Sequence, residues 1–376
     1  MKIGSVDLPS PFAVAPMAGM TDTAFRRLVK RHGGCGLVVT EMVSAEGLVR
    51  GIDRTLEYAE YTEEERPVSI QIFGGDPEKM AAAAQIVEGM GADIVDVNMG
   101  CPVPKIAKHN AGCSLMREPA HAASVIAAMA KAVRIPVTVK MRAGWNDDER
   151  NAPTLARMVE DAGAAAVAVH GRTAAQSYSG SADWEIVAQI ADALTIPVFG
   201  SGDCIEPEQV IDRMRAGVEG VLVGRGVLRN PWILAQARDI AAGRPPRRVT
   251  MADRGQFLLD YITLLKHERV HEDAGFRHSA ESLESHESHE SHESHEFPES
   301  RIPNPKSLLS TASHDRWIVN KLRALGSWYT KGLDNGSHLR ASINSAGSLP
   351  ALCGIIEQFF MVEPVEPSEG GRILSA

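Results

Sequence analysis

The chain has 376 residues, of which 44% are hydrophobic and 23% charged, enough for the core of one large domain and a smaller companion. No run of 18 apolar residues and no long apolar leader are present, which excludes a transmembrane helix and points to a cytoplasmic protein. Five scattered cysteines without a CxxC argue against a disulfide framework or a zinc site, and a net charge of −9 at face value argues against a nucleic-acid partner.

The predicted elements begin with eight short apolar runs rich in Val and Ile, at 12–17, 37–42, 67–73, 93–99, 136–142, 165–172, 197–203 and 220–226. Their starts lie 23 to 43 residues apart, room each time for a crossover helix. Short, nearly all-apolar strands alternating with helices are parallel strands buried on both faces. Eight units within residues 1–244 predict an α/β fold, a (β/α)8 TIM barrel. The rival, a doubly wound open sheet, lacks its GxGxxG after the first strand. The widest gap, between strands four and five, holds CPVPKIAKHNAGCSLMREP, a long loop on the face where barrel enzymes keep their chemistry.

After residue 244 the pattern changes. Residues 245–272 begin a helical domain. Residues 273–313 hold few apolar residues and a Ser-His-Glu repeat, a composition that predicts a disordered insert. Within it, 279–300 carry seven Glu and no Lys, Arg or Asp, so everything else sums to −2. Four regularly spaced His in the repeat are compatible with a metal, but a solvated insert explains them as well. Residues 314–364 are expected to resume the helical domain, with 365–376 as a tail. In 314–333, Ile318, Leu322, Leu325 and Tyr329 form one stripe, and Arg316, Asn320, Arg323, Ser327 and Lys331 lie opposite. That opposite side reads as a solvated face or as a basic ridge.

The C-terminal strand ends carry Pro16, Met17 and Ala18, then Glu41, Gln71, Asn98 with Cys101, Lys140 with Arg142, His170 with Arg172, Ser201-Gly202-Asp203 and Gly224-Arg225-Gly226. Polar groups at the ends of seven of the eight strands are hard to explain by packing. Strands seven and eight end in GSGD and GRG. Glycines there let backbone N–H groups approach a phosphate, and Arg225 adds a charged fork, so a phosphorylated ligand is expected. Lys140 suits either a Schiff base or a partner for an electron-rich cofactor edge beside Gln71 and His170; spacing does not choose. Cys101 suits a proton donor, because an ordinary thiol is protonated at neutral pH. Its bland alternative is a small buried apolar residue.

APMAGMTD (15–22), TEMVSAEGL (40–48), QIFGGDP (71–77), DVNMGCPVPK (96–105), GCSLM (112–116), VKMRAGW (139–145), VHGRT (169–173), ADW (182–184), GSGD (200–203) and GRG (224–226) together resemble the tRNA-dihydrouridine synthases, most of all the bacterial B-type branch. The likeness covers residues 3–270 and resumes over 314–362. A smaller subset of these motifs also fits other FMN barrels, such as dihydroorotate dehydrogenases. The resemblance implies reduction of the C5=C6 bond of a D-loop uridine in tRNA, with FMN as cofactor and NADPH as reductant. Matched motif to motif, it implies FMN contacts from Pro16, Met17, Ala18, Gln71, Lys140, His170, Ser201, Gly202, Asp203, Gly224 and Arg225. Cys101 is then the catalytic acid, and Asn98 and Arg142 lie beside substrate. Arg316, Arg323 and Lys331 become phosphate contacts that position RNA. No metal, no membrane and no obligate protein partner is implied. Position 201 is Ser where many members have Asn, and the Ser-His-Glu insert has no counterpart in the pattern. The alternative is an FMN-dependent barrel oxidoreductase acting on a free small molecule, which has no use for a basic helix.

Overall fold

The structure is a computed structural model that describes residues 1–107, 110–268 and 311–361. The acidic repeat and the expected tail lie outside the described residues.

An antiparallel pair, β1 (Lys2–Ile3) and β2 (Val6–Asp7), precedes the barrel. The barrel strands follow as β3 (Phe12–Val14), β4 (Leu37–Val39), β5 (Val43–Ser44), β6 (Val68–Phe73), β7 (Ile94–Met99), β8 (Val137–Arg142), β9 (Ala166–His170), β10 (Val198–Ser201) and β11 (Gly220–Val223). All pairings in this sheet are parallel, in the order β4-β3-β11-β10-β9-β8-β7-β6-β5, and β4 also pairs with β6. That pairing closes the ring and makes the eight-stranded barrel.

The run expected as one strand at 37–42 is split. β4 and β5 lie end to end along β6, with Val38 beside Val68 and Val43 beside Ile72. In the break, the Thr40 hydroxyl accepts from the Gln71 N–H at 3.1 Å. A side chain there replaces a ladder bond, and Glu41 is freed to turn toward the barrel mouth.

Alternation along each strand sorts side chains between two cores. Val95, Val97, Val139 and Val167 face the surrounding helices. Ile94, Ala13, Ala166, Ala168, Phe199 and Leu222 face the axis, together with Ile3 and Leu8 from the N-terminal segment. Each fully buried Val, Ile or Leu contributes about 1.5–3 kcal/mol relative to exposure. The helix after β6 starts where its cap predicts. Asp76 accepts from the Glu78 and Lys79 N–H groups, Pro77 opens the helix Pro77–Gly89, and Met80, Ala83, Ala84 and Val87 bury one face.

Beyond the barrel, the helices Met251–Glu268, Thr311–Tyr329, Gly336–Ser345 and Leu349–Phe360 pack together. The first two overlap the helical runs read at 245–272 and 314–333, and the last lies within the helical domain expected over 314–364. The third, GSHLRASINS, has only Leu339 and Ile343 as large buried residues, too sparse a stripe to stand out. In Thr311–Tyr329 the stripe Ile318, Leu322, Leu325 and Tyr329 is fully buried. This group docks on the helix Thr23–His32, where Phe25 meets Phe257 edge-on at 6.0 Å and Tyr261 at 6.2 Å.

Candidate active site

An open pocket lies at the C-terminal ends of β8, β9, β10, β11 and β3. Its lining includes Pro16, Met17, Lys140, His170, Ser201, Gly202, Asp203, Gly224 and Arg225. The topology explains this gathering, because these five strands are consecutive neighbours in the ring. Ala18 and Gln71 do not line it. Ala15, Tyr178, Cys204, Ile205 and Leu222 do, without having been singled out as cofactor contacts from sequence.

Two glycines shape the pocket. Gly202 has φ +126°, and a Cβ there would meet the Ala182 Cβ at 2.5 Å and the His170 ring at 3.1 Å. At Gly226 a Cβ would come within 2.1 Å of the Cys204 carbonyl, so only glycine lets these two turns close on each other.

The cations around the pocket are tethered. Arg172, 2% exposed, donates to the carbonyls of Ser179 and Gly180 and reaches Asp203 at 2.8 Å. Arg225 pairs with Asp203 at 3.3 Å and lies 4.6 Å over the Tyr178 ring. Burial pushes the Asp203 carboxyl up, but the Ala182 N–H and the Arg172 guanidinium outweigh it and hold it below the usual carboxylate range. Burial, then the charges of Lys140, Arg142, Arg172 and Arg225, pushes His170 down to about 2. The imidazole is therefore neutral and offers one donor and one acceptor. Burial and Arg142 also push Lys140 down to about 8, against the opposing pull of Asp96 and Cys101.

Beside this pocket runs a line of hydrogen bonds across β6, β7 and β8. Asn98 and Lys140 are register partners on β7 and β8. Asn98 Oδ1 accepts from the N–H groups of Gly100 at 3.1 Å and Cys101 at 2.9 Å. Its Nδ2 donates to Gln71 Oε1 at 2.7 Å. Gln71 Nε2 donates to Asp96 Oδ2 at 2.7 Å, and the Thr138 hydroxyl donates to Asp96 Oδ1 at 2.6 Å. Arg142 grips the same loop from the other side. Its Nε donates to the Gly100 carbonyl at 2.8 Å, and its Nη1 to the carbonyls of Thr173 and Ser177, each at 3.0 Å. Arg142 is thus a clamp between two loops, and its resolved bonds all go to protein carbonyls.

Cys101 is half-buried, whereas Cys35, Cys113 and Cys204 are buried. The Cys113 N–H donates to the Cys101 carbonyl at 3.1 Å, and burial pushes the Cys113 thiol up to about 11.

The predicted ridge divides. Arg316 and Asn320 are exposed. Lys331 is exposed and stacks 3.8 Å over Trp328. Arg323 is half-buried, donating to the Ala346 carbonyl at 2.9 Å and to Asn320 at 3.0 Å. Lys321, on the neighbouring face, reaches the barrel: Nζ lies 3.0 Å from Asp22, 3.2 Å from the Gly19 carbonyl and 3.7 Å from Glu41.

A family model for dihydrouridine synthases matches residues 13–304. The chain belongs to the dihydrouridine synthase family. Among its relatives, a probable tRNA-dihydrouridine synthase of Rickettsia bellii is 42% identical over 63% of this chain and 73% of that protein. The tRNA-dihydrouridine synthase B of Pseudomonas aeruginosa is 43% identical over 63% of this chain and 71% of its own length. That of Shewanella oneidensis is 39% identical over 70% of this chain and 83% of its own length. The solved structure of 2-naphthoyl-CoA reductase with 2-naphthoyl-CoA aligns at TM-score 0.50 and 12% identity over 65% of this chain and 52% of that one, a likeness of fold. Within this dihydrouridine synthase, residues overlooked as site residues in the sequence are Asp96, Tyr178 and Lys321. Asp96 carried a signal, standing two positions before Asn98 on the same side of a strand. Tyr178 and Lys321 reach the site only through loop and inter-helix packing, which no local pattern encodes.

Proposed function

We propose that this chain reduces the C5=C6 bond of a uridine in tRNA to 5,6-dihydrouridine, with FMN as the bound flavin and NADPH as the reductant. The carrying observation is the placement of a half-exposed thiol, Cys101, on a loop hung from Asn98, whose strand partner Lys140 lines the pocket.

The residues suit a phosphorylated flavin. Ala15, Pro16, Met17 and Leu222 offer an apolar wall for a ring system. Gly202, Gly224 and Arg225 offer close backbone and a guanidinium for a phosphate. At Gly224 a Cβ would stand 3.5 Å from Met17 Sδ and narrow the pocket. Bound FMN would supply hydride chemistry for C6 of the base, with NADPH as its reductant. Cys101 gives its thiol proton to C5, so one hydride and one proton account for both new C–H bonds, and solvent reprotonates the thiolate. Lys140 supplies positive charge at the pocket wall, and neutral His170 supplies an oriented hydrogen bond. Asn98 and Arg142 hold the Cys101 loop. The target base leaves its stack to enter, and the exposed Arg316 and Lys331 contact tRNA phosphates.

The test is direct. Flavin released from purified protein is identified, and the holoenzyme is incubated with NADPH and tRNA that lacks dihydrouridine. FMN and a gain of dihydrouridine are expected. FAD, or unmodified tRNA after complete flavin turnover, contradicts the reading.

A further inference from the structure

Asp96 has no part in the pocket, yet it ends the hydrogen-bond line that holds Cys101. It faces the barrel axis, on the wall of a small interior cavity of about 30 Å³ whose polar lining is Ser69, Asp96, Thr138 and Lys140. Small axial side chains, Ala166 and Ala168 among them, leave this space open.

The direction of every bond in the line is set from both ends. Backbone N–H groups only donate, so Gly100 and Cys101 require an acceptor, and Asn98 must present Oδ1 to them. Asn98 Nδ2 is left to donate, so Gln71 must present Oε1. Gln71 Nε2 then needs an acceptor at the far end. A carboxylate is acceptor-only when ionised, and Asp96 provides one to Gln71 while also taking the Thr138 hydroxyl. An amide whose two ends are interchangeable is thereby fixed in one orientation, twice in succession. Burial pushes the Asp96 carboxyl up, while the Gln71 and Thr138 hydrogen bonds and then the charge of Lys140 pull against that rise.

We propose that Asp96 is a positioning residue for the reaction: it orients Gln71 and Asn98 so that the loop bearing Cys101 is held in one geometry beside the pocket. It touches neither base nor flavin and acts through two amides. The inference rests on the assignment of Cys101 as proton donor, but its structural half can be read without turnover.

Asp96→Leu keeps the branched shape and removes the acceptor. Asp96→Asn keeps an acceptor for Gln71 and can turn its amide N–H toward the Thr138 hydroxyl. Two readouts separate them. The first is the rate of Cys101 alkylation by iodoacetamide in flavin-free protein, resolved by peptide mass spectrometry so that other thiols do not interfere. The second is kcat and KM for tRNA in the holoenzyme. In Asp96→Leu, Cys101 labelling rises by about tenfold, the worth of one lost buried hydrogen bond. Its kcat falls by about 10²-fold, the cost of a misplaced reacting group, with KM for tRNA unchanged. Asp96→Asn recovers most of both. If Asp96→Leu does not accumulate as folded protein, Gln71→Leu cuts the same line one bond further on and is expected to raise Cys101 labelling by the same factor. Wild-type labelling in whichever of these two is measured, or an Asp96→Asn no better than Asp96→Leu, overturns the proposal. Absence of dihydrouridine in wild type together with the expected labelling pattern would instead sink the synthase reading and leave the line of bonds standing.

Discussion

Lys321 Nζ lies 3.0 Å from Asp22 Oδ2, and this salt bridge ties the helix Thr311–Tyr329 to the mouth of the barrel. Asp22 also accepts from the Tyr261 hydroxyl at 2.7 Å, so two helices of the C-terminal group converge on one carboxylate. Glu41 extends the contact, accepting from the Gly19 N–H at 2.5 Å directly after the pocket residues Pro16 and Met17. The C-terminal helices and the loop at the pocket rim are therefore mechanically connected.

Lys321→Ala is expected to lower stability by on the order of 3 kcal/mol, since it strands partly buried carboxylates. It is also expected to weaken flavin retention by loosening residues 16–19. Burial works against the Lys321 charge, but Asp22 and Glu41 outweigh it and raise the ammonium above its ordinary value. A raised lysine contributes fully below its unfolded value near 10.5 and loses that contribution as pH rises through the folded one. Denaturant unfolding of wild type and variant should thus differ most at neutral pH and converge in strong alkali. Equal stability at pH 7 contradicts the latch.

The eight-strand barrel was legible because buried parallel strands leave continuous Val- and Ile-rich runs, and the pocket because Gly-rich ends of the last two strands stand out. Glu41 was legible as a strand-end residue, but not that a break between β4 and β5 would turn it toward Gly19. Arg142 was placed beside substrate by the family resemblance alone. Its role as a clamp depends on where the Thr173 and Ser177 carbonyls fall. Likewise, 100° spacing placed Arg323 on the exposed ridge, but the turn after Gly336–Ser345 brings the Ala346 carbonyl to it.

That division of the ridge predicts two different phenotypes. Replacing Arg316 and Lys331 together by Ala should weaken tRNA binding and reduce the salt slope of log K by roughly 1.5, one phosphate each. Arg323→Ala should instead cost about 1–3 kcal/mol in stability, because it leaves a carbonyl unsatisfied, and should leave the salt slope unchanged. Filter binding across a salt series, with thermal melts alongside, separates the two. A flattened slope in Arg323→Ala returns that residue to the RNA face.

Lys140 should show a trade between stability and binding. Burial, then Arg142, lowers it from 10.5 to about 8. The unfolded chain therefore binds more protons between about pH 8 and 10.5, and stability attributable to this residue rises with pH across that window. Lys140→Met is expected to be more stable than wild type at pH 7, with the gap narrowing toward pH 10. Flavin affinity in wild type should fall as pH rises through about 8 and should be flat in Lys140→Met. Fluorescence titration with FMN checks the second statement, and an affinity in wild type that is constant from pH 7 to 9 contradicts it.

His170 is expected to contribute no titration near its ordinary value. Burial and four surrounding cations hold it down to about 2. Ring proton shifts followed by NMR from pH 5 to 8 should be constant for His170. A midpoint near 6.5 would mean that the imidazole is far better solvated than its packing implies.

In the proposed reaction Cys101 carries the proton to the base. Cys101 is half-exposed beside the pocket, while Cys113 in the same segment is buried and pushed up to about 11. Single-turnover reoxidation of the NADPH-reduced enzyme by unmodified tRNA isolates that step. Compared with wild type, Cys101→Ala should bind FMN and tRNA and be reduced normally, yet transfer to uridine about 10²–10⁴-fold more slowly, the usual cost of losing a general acid. Cys113→Ala should reoxidise at close to the wild-type rate. A wild-type rate in Cys101→Ala, or a larger loss in Cys113→Ala, contradicts the account.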